Sequence, residues 1–284
     1  MLKSHAVSEL VRQAADGAIW HVVLADQAEA DQVAPEILLE NMRQALTVMR
    51  QAGIEGMDVA LRSLSGMTGG QAIKYRDSAL SGKTVGGALI GDMASTALAV
   101  AELNASMGRI VAAPTAGACG VLPGVLLGLQ KSHGFSDDDL IHALFTAAGI
   151  GSVIAQRASI SGAQGGCQAE IGSAAAMTAA AAVELCGGTA EMASHAVSFA
   201  LMNLMGLVCD PVGGLVEVPC VYRNVAGVSI AVTAADMALS GIPSLLPADE
   251  VIDAMARVGR SLPASLRETG EGGCAACPSA RKKT

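Results

Sequence analysis

The stretch that most constrains the fold is Ile171–Val183, in which alanine fills most positions. A helix that is apolar on every side belongs in a protein interior. Because alanine fills little space and only 2% of the residues are aromatic, neighbouring elements must approach each other closely. No run of residues alternates between apolar and polar over the length of a strand. The pattern predicts a mainly α protein whose helices pack through small residues.

Helical segments rich in small residues are predicted along the whole chain. The sequence contains no internal repeat and no linker that would divide it into domains. A chain of 284 residues can bury a substantial core. We therefore expect a single large helical domain over residues 1–284, with glycine-rich loops. Within it, residues 1–60 are expected to form a small N-terminal helical subdomain, and residues 270–284 a mobile surface tail.

Helix-terminus signals give approximate boundaries. Ala34–Ala52 has Pro35 in its first turn and Gly53 just beyond its end, and Ser136 is a predicted N-cap. Val7–Ile19 is predicted as a second amphipathic helix. Further helices are predicted at Thr84–Met107, Met192–Val208, Ala226–Leu239 and Asp249–Gly259.

Charge and hydropathy exclude several classes of function. A net charge of −8 offers no basic surface for nucleic acid. The mean hydropathy of +0.46 raises the question of a membrane protein, but polar residues interrupt the apolar segments Ile171–Leu185, Ser194–Val208 and Val225–Leu239. The N-terminus, MLKSHAVSEL, lacks the apolar core of a secretory signal. We expect a cytoplasmic protein without membrane contact.

Three cysteines lie within two residues of a glycine or proline: Cys167 in SGAQGGCQAE, Cys209 in GLVCDPVGG and Cys220 in VEVPCVYRN. Such positions predict loops or helix ends, where a thiolate can be directed freely. Three thiols suit an iron–sulfur cluster with one iron left without a protein ligand, although their spacing is far wider than in ferredoxins. On spacing alone, buried reduced cysteines that act as small apolar residues explain the pattern better. Cys119 and Cys186 are predicted to be packing thiols.

Two glycine-rich loops carry hydroxyl groups. Ser65–Ala72, SGMTGGQA, can direct backbone N–H groups at an anion, and a predicted helix follows it. A flexible turn is the alternative. Ala113–Gly124 is a second such loop. The SGKT at Ser81–Thr84 is not a phosphate-binding loop, because Asp77 stands where its first glycine is needed.

Together, SGMTGGQA, NASMGRIVAAPTAGACGVLPGVL, ASISGAQGGCQAEIGSAAAM, CDPVGGLVEVPCVYRN and LPASLRETG resemble the iron–sulfur-dependent L-serine dehydratases. The resemblance runs from about Leu10 to Gly270 and is to the catalytic alpha chain of the two-chain form. It implies that Cys167, Cys209 and Cys220 bind a [4Fe–4S] cluster. It also implies conversion of L-serine to pyruvate and ammonia without pyridoxal phosphate, a separate beta chain, and an oligomer.

A dehydratase must hold the substrate carboxylate, whose negative charge opposes removal of the Cα proton. The candidates for this role are Ser65, Thr68, Gly69, Gly70, Thr115 and Ala116. The general base is not identified by the sequence. The titratable residues nearest to the motifs are Lys74, Lys83 and His195, and a second chain could also supply the base.

The tail places Cys274 and Cys277 in a C-x-x-C arrangement. In single-chain relatives a cysteine near the C-terminus can cap the open iron, so the resemblance makes these two thiols candidates for a cap. A disordered tail with two spare thiols is the alternative. Two alternatives also remain for the function: a related cluster-dependent lyase that releases sulfide from cysteine, and a helical binding protein without a cluster.

Overall fold

The computed structural model describes residues 3–15 and 17–280. In this part of the chain the regular structure is helical, and a single bridge between Cys209 and Arg267 is the only strand-like pairing. The prediction of a mainly α protein is confirmed. The α-helices are α1 (Val7–Ala14), α2 (Ile19–Asp31), α3 (Pro35–Glu55), α4 (Ala72–Leu80), α5 (Gly87–Ala105), α6 (Val121–His133), α7 (Asp137–Arg157), α8 (Gly162–Gly165), α9 (Ser173–Leu185), α10 (Ala190–Leu204), α11 (Cys220–Leu239) and α12 (Ala248–Ser261).

Helix α9 lies at the centre, packed against α6, α7, α10 and α11. Its alanines are buried on every side. Glycines on the neighbouring helices permit the close approach: a Cβ at Gly151 of α7 would lie 2.9 Å from the sulfur of Met177, and one at Gly227 of α11 would lie 2.8 Å from Val121. Contact between helices through small residues therefore follows from the composition.

The N-terminal helices share this core, since Val7, Leu10, Val23 and Leu46 belong to the same cluster of buried residues as α9. The prediction of one helix over Val7–Ile19 is wrong. Helix α1 ends at Ala14, the backbone reverses at Ala15 with φ of 50°, and α2 begins at Ile19. The apolar periodicity continues through this turn and hides the break.

Helix α3 begins with Pro35 in its first turn, as predicted, but runs three residues beyond the predicted end. Gly53 lies inside the helix, where a Cβ would be 3.3 Å from Thr96 of α5. The helix ends instead before Gly56, where a side chain would overlap the carbonyl of Ala99. Both glycines serve packing against α5.

The helices near the cysteines also differ from prediction. Helix α7 begins with a reciprocal capping box between Ser136 and Asp139, which confirms the predicted N-cap. Helix α10 ends at Leu204 rather than Val208, so Cys209 lies in the following loop. Helix α11 begins at Cys220 rather than Ala226.

Among the described helices, Asp137–Arg157 is long and apolar enough to cross a membrane by length and composition alone. In its most apolar window 67% of the residues are buried inside the protein. Its apolar character is accounted for by the contacts of α7 with α2 and α9.

Candidate functional site

Three separate parts of the chain bring Cys167, Cys209 and Cys220 together, and all three thiols are buried. Cys167 directly precedes a single π-helical segment, Gln168–Gly172, which continues into α9. Burial raises the pKa of Cys209, and the neighbouring Cys167 and Cys220 raise it further. Burial also raises the pKa of Cys167 to about 11 and that of Cys220 to about 12. The three thiols therefore interact electrostatically in one small region.

Backbone and amide contacts fix the loop that carries Cys209. The N–H of Cys209 donates to the carbonyl of Leu266 (2.9 Å), and the N–H of Glu268 donates to the carbonyl of Cys209 (2.7 Å). The buried side chain of Gln168 accepts from the N–H of Gly206 (2.8 Å) and donates to the carbonyl of Met255 (3.0 Å). The π-helical segment and the LRETG segment thus hold this cysteine in place.

A half-buried carboxylate, Glu170, lies beside the thiols. A Cβ built on Gly162 would lie 2.7 Å from Glu170 Oε2 and 2.9 Å from Cys209 Sγ. The Thr115 hydroxyl donates to Glu170 Oε1 (2.7 Å). Burial raises the pKa of Glu170, although the bond from Thr115 opposes the shift. Sequence reasoning missed this residue, and its place just after Cys167 in GCQAEIG was the available signal.

One buried ion pair joins the thiols to the tail. Arg223 Nη2 lies 2.8 Å from Asp210 Oδ1, and the charge of Arg223 lowers the pKa of Cys167 against the effect of burial. Asp210 Oδ2 accepts from the N–H of Cys274 (2.6 Å). A Cβ on Gly273 would overlap this carboxylate. The part of the tail that contains Gly273 and Cys274 therefore contacts the loop that carries Cys209.

The thiols of Cys274 and Cys277 are exposed. They line a cleft with Val212 and Val218. A hydrogen bond with Asp210 is the main cause that raises the pKa of Cys274. The roles of these thiols as a cap, and the mobility of the tail, stay predictions. Residues 281–284 of that tail lie outside the described residues.

The first glycine-rich loop gathers backbone N–H groups around a carboxylate of its own chain. Glu102 of α5 is fully buried and accepts from Gly69 (3.1 Å), Gln71 (3.0 Å) and Ala72 (3.2 Å). The positive φ of Gly69 and Gly70 permits this tight turn before α4. Because the N–H of Gly69 is bonded to Glu102, it is not available to a substrate in this arrangement.

The hydroxyl groups of the same loop bind a second acid, Glu217. Ser65 Oγ and Thr68 Oγ1 donate to Glu217 Oε2 at 2.7 and 3.4 Å. Glu217 and Ala116 line one cavity of about 370 Å³. Of the residues predicted to bind the carboxylate, Ser65, Thr68 and Ala116 thus meet near this cavity, whereas Thr115 faces Glu170.

The candidate bases do not join this group. Lys74 and Lys83 are exposed on α4 and in the turn after it, and His195 is half-buried within α10. Within residues 3–15 and 17–280 no hydrogen bond or ion pair links any of them to the three cysteines. Their role as the base stays a prediction.

The two remaining cysteines behave differently from each other. Cys119 is buried, and burial raises its pKa to about 12, as expected of a packing thiol. The same prediction for Cys186 is wrong, because this thiol is exposed. It directly follows α9, where Gly187 with φ of 83° turns the chain at the surface.

No group of three or more His, Cys, Asp or Glu side chains in the described ranges is placed to hold a single metal ion. A cluster is a different case, because its irons are separate atoms and each thiolate binds its own iron. The three buried thiols have raised pKa values, so positive charge is needed among them to keep them as thiolates. Arg223 supplies one such charge. The chemistry of this donor set therefore fits an iron–sulfur cluster.

Comparison with known proteins gives concordant matches. The family described as Serine dehydratase alpha chain matches residues 14–275. A "Probable L-serine dehydratase, alpha chain" from Bacillus subtilis (strain 168) is 49% identical over 93% of this chain and 88% of its own length. The "L-serine dehydratase, alpha chain" of Peptoniphilus asaccharolyticus is 41% identical over 93% of this chain and 90% of its own. An "L-serine dehydratase" from Mycobacterium bovis (strain ATCC BAA-935 / AF2122/97) is 46% identical over 63% of this chain but only 40% of its own length.

Proposed function

The chain belongs to the serine dehydratase alpha-chain family, and from this premise we propose that it is the catalytic chain of an L-serine dehydratase. The reaction converts L-serine to pyruvate and ammonia. The observation that carries the proposal is the convergence of three buried thiols beside the half-buried carboxylate of Glu170. Cys167, Cys209 and Cys220 would hold a [4Fe–4S] cluster.

Elimination of water from serine requires loss of the Cα proton and departure of the hydroxyl group, which is a poor leaving group. A cluster held by Cys167, Cys209 and Cys220 would supply a Lewis acid that assists this departure. Glu170 is the acid–base group closest to the thiols, and burial raises its pKa, so it holds a proton to higher pH than an exposed glutamate. We propose that protonated Glu170 donates a proton to the departing hydroxyl group, which then leaves as water. Thr115 orients this carboxyl through Oε1.

The product of elimination, aminoacrylate, rearranges to an imine that water hydrolyses to pyruvate and ammonia. The group that removes the Cα proton stays open between Lys74, Lys83, His195 and a residue of a second chain. A base acts within hydrogen-bond reach of its proton, so a lysine would have to leave its exposed position to serve. This argues against Lys74 and Lys83 and leaves His195 and a residue of a second chain as candidates.

We propose that the second chain is a beta chain, as the names of the alpha-chain relatives imply. Four apolar side chains surround the mouth of the cavity at Glu217, and two of them are strongly exposed: Leu64 at 79% and Met107 at 75%. Leu215 and Val216 complete this surface, which we call the apolar rim. A contiguous exposed apolar surface is typical of a protein interface. The beta chain would cover the rim and close the cavity.

The proposal is tested by expressing the chain with its beta chain under anaerobic conditions. Iron and acid-labile sulfide per chain, visible absorption, and pyruvate formed from L-serine are then measured. We expect iron and sulfide in a cluster ratio and serine turnover that decays in air, since an iron lacking a thiolate is held less firmly. Faster release of sulfide from L-cysteine would favour the desulfidase. Absence of both iron and turnover would favour a binding protein.

A further inference from the structure

Glu217 is a buried acid, and within the described residues only one of its two carboxylate oxygens accepts hydrogen bonds. Its side chain is 4% exposed, and both of its hydroxyl donors, Ser65 and Thr68, bind the same oxygen, Oε2. Among residues 3–15 and 17–280 no hydrogen bond reaches Oε1 and no cationic side chain forms an ion pair with this carboxylate. A buried carboxylate without a cationic partner is costly, so such a group is usually paired.

The cavity beside Glu217 is otherwise neutral. Its volume is about 370 Å³, which suits a small molecule rather than a macromolecule. Apart from Glu217, its lining carries no formal charge: Leu64, Asn104, Ala105, Met107, Ala116, Gly214, Leu215 and Val216. In such surroundings a single carboxylate attracts a cation more strongly than it would in water.

The cavity adjoins the proposed reaction centre. A Cβ on Gly117 would lie 3.4 Å from Val216 Cγ1 and 3.1 Å from Glu170 Oε1, so one glycine separates the cavity lining from Glu170. Glu170 in turn lies beside Cys209. The cavity at Glu217 and the carboxylate of Glu170 are therefore neighbours, separated by Val216 and Gly117, and an amino acid in the cavity would lie close to the proposed reaction centre.

We propose that Glu217 binds the α-ammonium group of the substrate and thereby selects amino acids over the corresponding hydroxy acids. This inference rests on the proposed function. It changes the role of the first glycine-rich loop, whose Ser65 and Thr68 hydroxyls orient a carboxylate that binds a cation. An inorganic monovalent cation is the alternative ligand of Glu217, and the experiment distinguishes it from the substrate ammonium group.

The test compares Glu217→Gln with the matched control Glu191→Gln, an exposed glutamate on α10. Both variants are prepared in the anaerobic complex, and iron content is measured first. Calorimetry then gives the affinities of L-alanine and L-lactate, which differ in the ammonium group and cannot lose a β-hydroxyl. We expect Glu217→Gln to weaken L-alanine about 10-fold or more, the effect of one charge-assisted hydrogen bond, and to leave L-lactate no weaker. KM for L-serine should rise in parallel, and the control should match the wild type.

Each other outcome has a defined meaning. Unchanged L-alanine affinity in an iron-loaded Glu217→Gln complex would overturn the inference. So would a variant that loses only a dependence on potassium, because the occupant would then be an inorganic ion. If Glu217→Gln loses iron, Glu217→Asp replaces it and should keep the preference for L-alanine over L-lactate at lower affinity, whereas loss of that preference would refute the inference. Failure of the proposed function looks different: the wild-type complex would form no pyruvate although Glu217→Gln still weakened L-alanine.

Discussion

Two buried glutamates flank the same glycine-rich loop, and their partners differ. Glu102 accepts three backbone N–H groups at the start of α4, and both of its oxygens are engaged. Glu217 accepts two hydroxyls on one oxygen, has no hydrogen bond to the other within the described residues, and lines a cavity. Both side chains are almost completely buried, so burial does not separate structural from functional acids. Unused bonding capacity does, because buried polar groups in a finished fold are nearly always satisfied.

The thiols show the same contrast. Cys119 is buried alone among apolar side chains, with only a long contact of 3.9 Å to the carbonyl of Val100. Cys167, Cys209 and Cys220 are buried together: Cys167 and Cys220 raise the pKa of Cys209, and Cys167 raises the pKa of Cys220. Thiols whose pKa values are raised by burial and by neighbouring thiols are typical of a functional site.

The largest expected effect is the loss of iron and activity when one of the three clustered thiols is replaced. Changing Cys167, Cys209 or Cys220 to Ser should remove nearly all iron from the anaerobically purified complex and abolish serine turnover. Each thiolate binds its own iron, so two are not enough to hold the cluster. Cys186→Ser is the control and should keep wild-type iron. Normal iron in Cys209→Ser would remove that residue from the ligand set.

The next effect concerns stability. Glu102→Gln leaves buried N–H groups of the loop with poorer acceptors and should lower the free energy of unfolding by about 2–4 kcal/mol, given the strength of hydrogen bonds to charged groups. Urea unfolding of the isolated chain measures this change. Glu217→Gln should cost less stability, since it removes an unpaired charge. A larger loss of stability in Glu217→Gln than in Glu102→Gln would contradict the distinction between a structural Glu102 and a ligand-binding Glu217.

A smaller effect tests whether another chain covers the open side of the cavity. Leu64→Glu or Met107→Glu places a charge on the apolar rim and should weaken binding of the beta chain about 10-fold or more, as a charge in the centre of an interface does. Size-exclusion chromatography and calorimetry with purified beta chain measure the affinity. Leu245→Glu and Val85→Glu, at strongly exposed apolar positions outside the rim, serve as controls. Equal weakening by the controls would point to general aggregation.

The smallest effect is expected at the tail. Truncation after Gly270 removes the bond from the Cys274 N–H to Asp210 and with it a support of the Arg223 ion pair. If a tail thiol caps the open iron, truncation should lower KM a few-fold and hasten inactivation in air. Steady-state kinetics before and after timed aeration provide the measurement. Unchanged values would show that the tail only lies on the surface of the cysteine loop.

Local signals predicted much of the fold. The helical class, the first-turn Pro35 and the capping box at Ser136 depend on residues close together in the sequence. The flanking glycines and prolines also indicated that Cys167, Cys209 and Cys220 lie at helix ends and in a loop. Such features need no knowledge of tertiary contacts.

The missed features depend on contacts between distant parts of the chain. Nothing in SGMTGGQA shows that its N–H groups bind Glu102 or that its hydroxyls bind Glu217, which lies far along the sequence. Gln168, the first residue of the π-helical segment after Cys167, likewise donates to the carbonyl of Met255 in α12, a contact that the local sequence does not indicate. These contacts of the site could therefore be identified only from the three-dimensional structure.

The alanine-rich core of α9 also affects the entropy of folding. An alanine side chain has no rotamers to lose on burial, whereas a leucine or isoleucine loses about 0.5–1 kcal/mol of rotamer freedom. The seven alanines of α9 thus add no side-chain entropy cost, and dispersion between closely spaced backbones takes the place of large apolar side chains at these positions. Each of these alanines has a single side-chain conformation. The thiols and carboxylates attached to it therefore start from positions that need little further ordering when a ligand binds.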